Sequence, residues 1–353
     1  MRGWQGEQNK LKGGDSLMAN ETEDHETQYC FPAINSSCIK GKRSSHEYNI
    51  MYVFFSLLSA WTVFLNLLVI ISISHFKKLH TPTNLIILSL AVADLLIGLI
   101  VIPVDAIKLI ETCWNFGDTI CRLFFIIMGL LLSTSLSNLI LIAIDRYVAV
   151  CHPLLYPKKI TTTKTLMSIC LCWFCSSAYN SVGLSYGSGD MSHRSDACYG
   201  ECPLVLNFAL GVTDLFISLL FPCTLIITLY LRIFYAVHQQ VKVINSLMKG
   251  AKCEMKGSVR RKSESKAALT LGIIVTVYLL CWIPYYILCM TENSASSAAS
   301  DFLTWCLYIN SCLNPLIYAL FYPWFRTSVK HILTLQIFKP SSSLANVLTD
   351  RHS

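Results

Sequence analysis

Seven apolar stretches dominate the sequence, and each is long enough to cross a lipid bilayer. They lie near residues 48–74, 83–107, 119–149, 165–186, 204–233, 266–290 and 300–322. A membrane span needs about 20 apolar residues, and it must be helical because lipid offers its backbone no hydrogen bonds. Only 14% of the residues are charged, whereas soluble proteins carry about 25%. The sequence therefore predicts an all-α membrane protein, a bundle of seven transmembrane helices.

The distribution of basic residues indicates the orientation of this bundle. Lys and Arg are frequent after spans one, three and five, and the loops after spans two and six hold almost none. Because cytoplasmic loops are the basic ones, we expect a multi-pass plasma-membrane protein with an extracellular amino terminus. Lys40, Lys42 and Arg43 ahead of span one argue mildly the other way. The net charge of +7 is thus a topology signal rather than a surface for nucleic acid.

The sequence divides into three parts. Residues 1–47 are predicted to be an extracellular tail, 48–322 the seven-helix domain, and 323–353 an amphipathic helix with a cytoplasmic tail. Arg326 and Lys330 alternate with apolar residues at helical spacing, a pattern typical of a helix on the inner membrane surface. Those apolar residues are Phe325, Val329, Ile332, Leu333 and Ile337.

The predicted outer side carries two kinds of marker. Asn20 and Asn35 begin glycosylation acceptor sequences. Six of the 16 cysteines also fall on this oxidising side, where disulfides persist: Cys30, Cys38, Cys113, Cys121, Cys198 and Cys202. A zinc site at Cys198 and Cys202 with nearby His193 is an alternative to disulfides there.

Polar landmarks recur in the spans, where a single charged group costs roughly 2.5–3.5 kcal/mol on insertion scales. Span three ends in Asp145-Arg146-Tyr147, and Glu264 at the start of span six is the expected partner of Arg146. Such a pair could hold two helices together until a signal separates them. The middle of the bundle offers oxygen ligands suited to a hydrated sodium ion: Asp94, Ser135, Asn310, Ser311 and Asn314.

These landmarks, one per span in order, resemble those of the rhodopsin-like G-protein-coupled receptors, and the match covers about residues 45–335. They include Asn66, Asp94, Asp145-Arg146-Tyr147, Trp173, Pro222, Cys281-Trp282-Ile283-Pro284 and Asn314-Pro315-Leu316-Ile317-Tyr318. The segment NSCLNPLIYALFYPWF, residues 310–325, is similar to the fingerprint of the trace amine-associated receptors, most of which are olfactory receptors for volatile amines.

The resemblance implies partners, switch residues and disulfides. It implies coupling to a stimulatory, olfactory-type G protein that raises cAMP. It also implies that Cys121 pairs with Cys202 and Cys38 with Cys198, which leaves Cys30 and Cys113 without an assigned partner. The residues implied in the G-protein switch are Asp145, Arg146, Tyr147, Glu264, Tyr230, Asn314, Pro315 and Tyr318.

The ligand pocket departs from the pattern of most amine receptors, which place an aspartate on helix three. Met128 stands at that position, but Asp214 lies in span five, two turns before Pro222 on the face shared with Ser218. This arrangement resembles a group of fish receptors that have lost the helix-three acid and kept a helix-five acid. The expected pocket residues around Asp214 are Met128, Leu132, Ser218, Trp282, Tyr285, Tyr286, Thr304, Trp305 and Tyr308.

Alternatives remain for the acids and for the function. Asp214 could be protonated, or bonded to a neighbouring helix instead of a ligand. Asp105 is a competing acid that should border the pocket, although Lys108 is placed to form an ion pair with it. A non-amine odorant on the same receptor fold, or a transporter that uses Asp94 and Asp214 as an ion path, is a rival function. We expect no enzyme, because the spans lack a nucleophile–base or metal constellation, and no cofactor other than the sodium ion.

Overall fold

A computed structural model of the chain describes residues 28–187, 198–202, 208–248, 276–284, 287, 297–340, 342–344 and 347. Within them, eight helices succeed one another in chain order, α2 and α5 each containing a wider stretch. They are α1 (Ser45–His75), α2 (Pro82–Glu111), α3 (Gly117–Cys151), α4 (Thr162–Gly187), α5 (Phe208–Asp214, Leu215–Leu220 and Phe221–Met248), α6 (276–284), α7 (Ser297–Phe321) and α8 (Pro323–Leu333). A four-residue turn of helix, Tyr156–Lys159, lies between α3 and α4.

Four of the helices in the described ranges are long and apolar enough to cross a membrane. They are Ser45–His75, Pro82–Glu111, Gly117–Cys151 and Ala209–Gln240, and they coincide with predicted spans one, two, three and five. Local signals fix where the first two begin. Ser44 and Glu47 form a capping box at the start of α1, and Thr81 caps α2 ahead of Pro82.

α2 and α5 each widen into a π-helical stretch ahead of a proline. In α2 the stretch is Ile97–Val101, two residues before Pro103, and in α5 it is Leu215–Leu220, two residues before Pro222. A proline lacks the N–H donor and its ring clashes with the carbonyl four residues earlier. A wider turn relieves that clash, and such turns are frequent at functional sites. The backbone N–H of Phe221 accordingly bonds to the carbonyl of Phe216, five residues back.

α3 occupies the centre of the bundle and packs against α2, α4 and α5. Two apolar clusters surround it, one at each end. The first contains Ile97, Trp114 and Phe124, and the second contains Leu90, Ile142 and the α8 residue Phe325. α8 packs on α1 and α7 with Trp324, Phe325 and Ile332 buried, while Arg326 and Lys330 are exposed. The short amphipathic helix is thus held by its apolar face, with its basic residues outward.

Three disulfides gather at one end of the bundle, called the disulfide end below. Cys121–Cys202 and Cys38–Cys198, the two pairs that the family resemblance implied, are both bonded. The third bond joins Cys30 to Cys113, the two cysteines without an assigned partner. The disulfides thus bring together the amino-terminal tail, the α2–α3 connection and the α4–α5 connection. The paired cysteines are far apart in the sequence, so their positions alone do not indicate this arrangement.

Further contacts hold the tail against these connecting segments. The backbone of Ser37 pairs with Tyr199, the ring of Phe31 lies edge-on to Tyr199, and the N–H of Trp114 donates to the carbonyl of Gly200 over 2.7 Å. Lys40 and Glu111 form an ion pair at 3.7 Å. The tail from residue 28 is therefore part of the folded structure at the disulfide end.

Because Cys30–Cys113 closes a loop of 83 residues, its removal should destabilise the fold by about 2–4 kcal/mol. We expect Cys30→Ser, Cys113→Ser and the double variant to lower the melting temperature of the detergent-purified protein equally. Cys170→Ser, at an exposed unpaired cysteine, is the matched control and should leave the melting temperature unchanged. Additive losses in the double variant would show that the two cysteines do not bond to each other.

Candidate functional site

A cavity of about 180 Å³ lies among α3, α4, α5, α6 and α7. It is smaller than the 300–1,000 Å³ typical of pockets for drug-sized ligands, so it suits a small molecule. Seven of the residues predicted from the sequence line it: Met128, Leu132, Asp214, Ser218, Trp282, Thr304 and Tyr308. Two further predicted residues, Tyr285 and Tyr286, lie outside the described residues.

Asp214 is half-buried in the wall of this cavity, at the end of the first segment of α5. Its Oδ1 atom accepts hydrogen bonds from the hydroxyl of Ser218, at 2.8 Å, and from the hydroxyl of Tyr179 on α4, at 2.9 Å. The expected alternative, a bond to a neighbouring helix, is therefore present. Tyr179 was not predicted, because no spacing in the sequence relates it to Asp214.

Asp105 does not line the cavity, contrary to the expectation that it borders the pocket. It lies behind Tyr308, whose hydroxyl donates to its Oδ2 atom over 3.0 Å and also approaches the sulfur of Met128 at 3.6 Å. Lys108 lies over the ring of Phe125, 5.1 Å from the ring centroid, and forms no close ion pair with Asp105, although its charge still attracts that carboxylate. Asp105 can therefore reach the cavity only through Tyr308, because the tyrosine side chain stands between them.

Trp305, expected to shape the pocket, is not among the described lining residues. Its ring packs edge-on against Phe55 of α1, with ring centroids 4.7 Å apart. A helix presents residues on several faces, and Trp305 follows Thr304 on a face that turns toward α1. Sequence proximity to Tyr308 therefore did not place it in the pocket.

The α3–α4 wall of the cavity contains a polar arrangement that the sequence analysis missed. The side-chain nitrogen of Asn180 donates to Ser133 Oγ at 2.9 Å and to the carbonyl of Ser176 at 2.8 Å. A β-carbon on Gly129 would lie only 2.1 Å from Asn180 Oδ1. Any side chain at position 129 would therefore displace the Asn180 amide from this position.

Deeper in the bundle, Asp94 is fully buried and accepts hydrogen bonds from two of the predicted sodium ligands. Ser135 Oγ donates at 3.0 Å and Asn314 Nδ2 at 2.8 Å. Asn310 and Ser311 are buried as well, and the carbonyl of Ser311 accepts from Asn66. The Oδ1 atom of Asn314 has no hydrogen-bond partner, so an uncompensated acceptor remains beside the carboxylate.

A second polar cluster lies at the end of the bundle opposite the disulfides. Arg146 pairs with Asp145 and donates to Thr83, while Asp145 also accepts from Thr83 at 2.8 Å and from Tyr156 at 2.9 Å. Burial raises the pKa of the Tyr156 phenol, which keeps it protonated as the donor to Asp145. Glu264, the expected partner of Arg146, lies outside the described residues.

The other predicted switch residues are spread along the bundle. Tyr230 of α5 is buried, the ring of Tyr147 packs edge-on to His152, and Asn314 bonds to Asp94. Pro315 lies inside α7, and the side chain of Tyr318 is outside the described part. Thr83 and Tyr156 were not predicted as members of the polar cluster at Arg146. They contact Asp145 from 62 and 11 residues away in the sequence, respectively. No local sequence pattern indicates such contacts.

The structure describes only some of the glycosylation and metal-binding features predicted for the extracellular side. Asn35 is exposed near the disulfide end, and Asn20 lies outside the described residues. Zinc does not fit Cys198 and Cys202, because both sulfurs are already used in disulfides. The nearby grouping of Cys38, Cys198 and Glu201 contains one of these bonded pairs, so its thiolates are unavailable as metal ligands.

Comparisons with known proteins agree with this architecture. Residues 65–318 match the family model described as 7 transmembrane receptor (rhodopsin family). The chain is 39% identical over 332 residues to trace amine-associated receptor 13c of Danio rerio, covering 92% of this chain and 97% of that protein. It is 39% identical to human trace amine-associated receptor 6 over 341 residues, and 36% identical to mouse trace amine-associated receptor 4 over 333 residues, covering 96% of each relative and 92% and 91% of this chain.

Thr83 supplies a hydrogen bond to a carboxylate that is 2% exposed, so its removal should be costly. We expect Thr83→Val to lower the stability of the purified protein by about 1.5–3 kcal/mol, the usual value of a hydrogen bond to a charged group. Thr163→Val, at an exposed position in the first turn of α4, is the control. Equal melting temperatures for the two variants would contradict the assigned role of Thr83.

Proposed function

The chain belongs to the rhodopsin family of seven-transmembrane receptors and, within it, to the trace amine-associated receptors, and we propose that it binds small amines through Asp214. As a member of this family it is a multi-pass membrane receptor and not an enzyme, and its partners are a small ligand and a G protein. The proposal adds three points to family membership: that the ligand is an amine, which residue binds it, and which type of G protein is activated.

The carboxylate of Asp214 in the cavity wall is the observation that supports an amine most strongly. The hydroxyls of Tyr179 and Ser218 are neutral donors, so they solvate the carboxylate without neutralising its charge. The described lining of the cavity contains neither Lys nor Arg. An opposite charge within about 4–6 Å stabilises a carboxylate out of water, and a ligand ammonium in the cavity would approach Asp214 in this way.

The rest of the lining suits the body of a small amine. Trp282 and Tyr308 contribute aromatic surface, and aromatic faces attract a cation by roughly 0.5–2 kcal/mol. Met128 and Leu132 provide apolar surface at the position where many amine receptors place their aspartate. The ammonium is therefore held from the α5 wall, an arrangement that resembles the fish group named above.

The contacts between α5 and α6 link Asp214 in the cavity to the Arg146 end of the bundle. Asp214 directly precedes the π-helical part of α5, and the hydroxyl of Tyr278 on α6 donates to the carbonyl of Ser218 in that stretch, at 3.4 Å. Tyr278 in turn stacks on Trp282, with ring centroids 5.3 Å apart. A ligand that draws Asp214 inward moves α5 against α6, and α5 continues to Tyr230 near the Arg146 end.

We further propose that the disulfide end is extracellular and the Arg146 end cytoplasmic. The basic loops predict that the Arg146 end faces the cytoplasm, where it meets a G protein of the stimulatory, olfactory type that raises cAMP. The disulfide end, with residues 1–47 and the acceptor sites at Asn20 and Asn35, is then extracellular, and residues 323–353 are cytoplasmic. Disulfides persist in an oxidising compartment, which supports this orientation.

Asp94 is the proposed site of an allosteric sodium ion. The Asp94 carboxylate, the unpartnered Oδ1 of Asn314, the hydroxyl of Ser135 and the buried side chains of Asn310 and Ser311 are hard oxygen ligands on neighbouring residues. A cation there would link α2, α3 and α7 through these side chains. The residues present therefore fit the ion.

Asp214 should carry the main ammonium contact. We expect Asp214→Ala and Asp214→Asn to abolish the cAMP response to primary and tertiary amines at matched surface expression, because both remove the charge. Asp214→Glu should retain part of it. A hydrogen bond to a charged group is worth about 1.5–3 kcal/mol, or roughly one to two decades in potency. A screen of amines and neutral odorants in a cAMP reporter assay identifies the agonists first.

Two further variants separate Asp214 from its competitors. Asp105→Asn should matter less for monoamines, because Asp105 lies behind Tyr308, and Met128→Asp should create a second cation site and alter ligand preference. Full amine responses in Asp214→Asn would refute the proposal. Responses to neutral odorants alone would favour the non-amine alternative, and substrate flux in proteoliposomes without a G protein would favour the transporter.

Sodium should stabilise the unliganded receptor through Asp94. At ten times its Kd, the ion adds about 1.4 kcal/mol to the stability, so the melting temperature should be higher in sodium chloride than in N-methylglucamine chloride. Asp94→Asn should lose this difference, whereas Asp214→Asn should keep it. The same sodium effect in Asp94→Asn would place the ion elsewhere.

A further inference from the structure

We infer that Asn180 of α4 is a second ligand-contacting residue, whose side-chain oxygen accepts a hydrogen bond from a second donor group on the amine. The preferred ligands are then amines that carry a further O–H or N–H group. This inference rests on the proposed function, because it takes the ammonium to be held by Asp214. It goes beyond that function by assigning the class of amine.

The hydrogen bonds of Asn180 fix which way its amide points. Its nitrogen donates to Ser133 Oγ and to the carbonyl of Ser176, which uses both N–H donors of the amide. The reversed amide would place its oxygen against the Ser176 carbonyl, where two acceptors would meet. The oxygen of Asn180 is therefore the atom presented away from Ser176, toward α3 and Gly129.

Two glycines leave this oxygen accessible from the cavity. Gly129 and Gly183 both line the cavity beside Asn180. At Gly129 any side chain would collide with the amide oxygen, 2.1 Å from the position of a β-carbon, and at Gly183 an added β-carbon would meet nothing within 4 Å. The missing side chain at Gly129 makes room for the amide oxygen, and the one at Gly183 leaves open space toward α4, from which a ligand group can approach Asn180.

Five of the hydroxyl groups that line the cavity already donate their protons to protein acceptors. Tyr179 and Ser218 donate to Asp214, and Ser133 donates to the carbonyl of Gly129 at 2.6 Å. Thr213 donates to Ala209 at 2.7 Å and Tyr308 donates to Asp105. These residues consequently offer lone pairs, not protons, to a ligand.

The polar groups on the α4 and α5 walls thus favour ligands rich in hydrogen-bond donors. An ammonium matches Asp214, and a hydroxyl or second amine matches the oxygen of Asn180. A ligand with a carboxylate, such as an amino acid, would place its negative charge among acceptors and beside Asp214. Amino alcohols and diamines are therefore the ligand class that these two walls favour over plain alkylamines, and the same walls disfavour amino acids.

The test compares ligands of equal size that differ by one donor. A series of linear alkylamines is paired with ω-amino alcohols in which a hydroxyl replaces the terminal methyl, and potency is measured as nucleotide exchange on an added G protein. At the chain length that reaches Asn180, the amino alcohol should be about 3- to 10-fold more potent than its alkylamine partner, the value of one neutral hydrogen bond. Asn180→Leu, close in size, should remove this preference while alkylamines remain active.

A second variant tests the same point by a gain of response. Asn180→Asp keeps an oxygen acceptor and adds a charge, so it should raise the potency of diamines relative to alkylamines by roughly tenfold or more. This outcome does not depend on a loss that misfolding could mimic. Ser137→Ala, which removes a hydroxyl bonded to the Ser133 carbonyl one turn deeper on α3, is the control and should leave every ratio unchanged.

The results distinguish the role of Asn180 from the proposed amine-receptor function. Equal amino alcohol to alkylamine ratios in the native protein and in Asn180→Leu would overturn the role of Asn180, while loss of all responses in Asp214→Asn would still support the amine receptor. An amine response that survives Asp214→Asn would overturn the proposed function and, with it, this inference. A potent response to amino acids would contradict the assigned ligand class.

Discussion

The wide turn of α5 ahead of Pro222 is the feature on which the pocket depends. Proline cannot supply the hydrogen bond that closes a regular helical turn, and its ring displaces the carbonyl four residues earlier. The helix responds with the π-helical stretch Leu215–Leu220, which begins directly after Asp214. Because such a stretch changes the rotation of everything before it, it sets the direction in which the carboxylate leaves the helix.

α3 connects the regions that a ligand must link. Cys121 near its beginning bonds to Cys202, Met128 and Ser133 line the cavity in its middle, and Asp145 and Arg146 form the polar cluster at its far end. Its packing against α2, α4 and α5 means that each of these helices has one face on the same rigid element. Small displacements of α5 at the cavity are therefore displacements relative to the whole bundle, because packed interiors deform little.

The polar groups of the bundle show how buried charge is tolerated. Asp94, Asp145 and Asp214 each accept hydrogen bonds from side chains on other helices, which offsets the cost of removing a carboxylate from water. Asp145 also has a cation beside it, Arg146. The side chains that bond to Asp94 and Asp214 in the described structure include neutral donors, and these two carboxylates are where we propose a sodium ion and a ligand ammonium.

The sequence by itself determined the number and order of the spans, the family and seven of the residues that line the pocket. These follow from local rules: the length of apolar runs, the spacing of Asp214 and Ser218 on one helix, and fixed motifs such as Asp145-Arg146-Tyr147. A basic and apolar pattern after Tyr322 likewise predicted α8.

The tertiary structure decided which residues on different elements contact one another. The bond between Cys30 and Cys113, the hydrogen bond from Tyr179 to Asp214 and the approach of Asn180 to Gly129 join residues on different elements. The position of Asp105 behind Tyr308 and the turn of Trp305 toward Phe55 are of the same kind. Helical periodicity fixes the face on which a residue lies, but the rotation and crossing of the helices decide which neighbour that face meets.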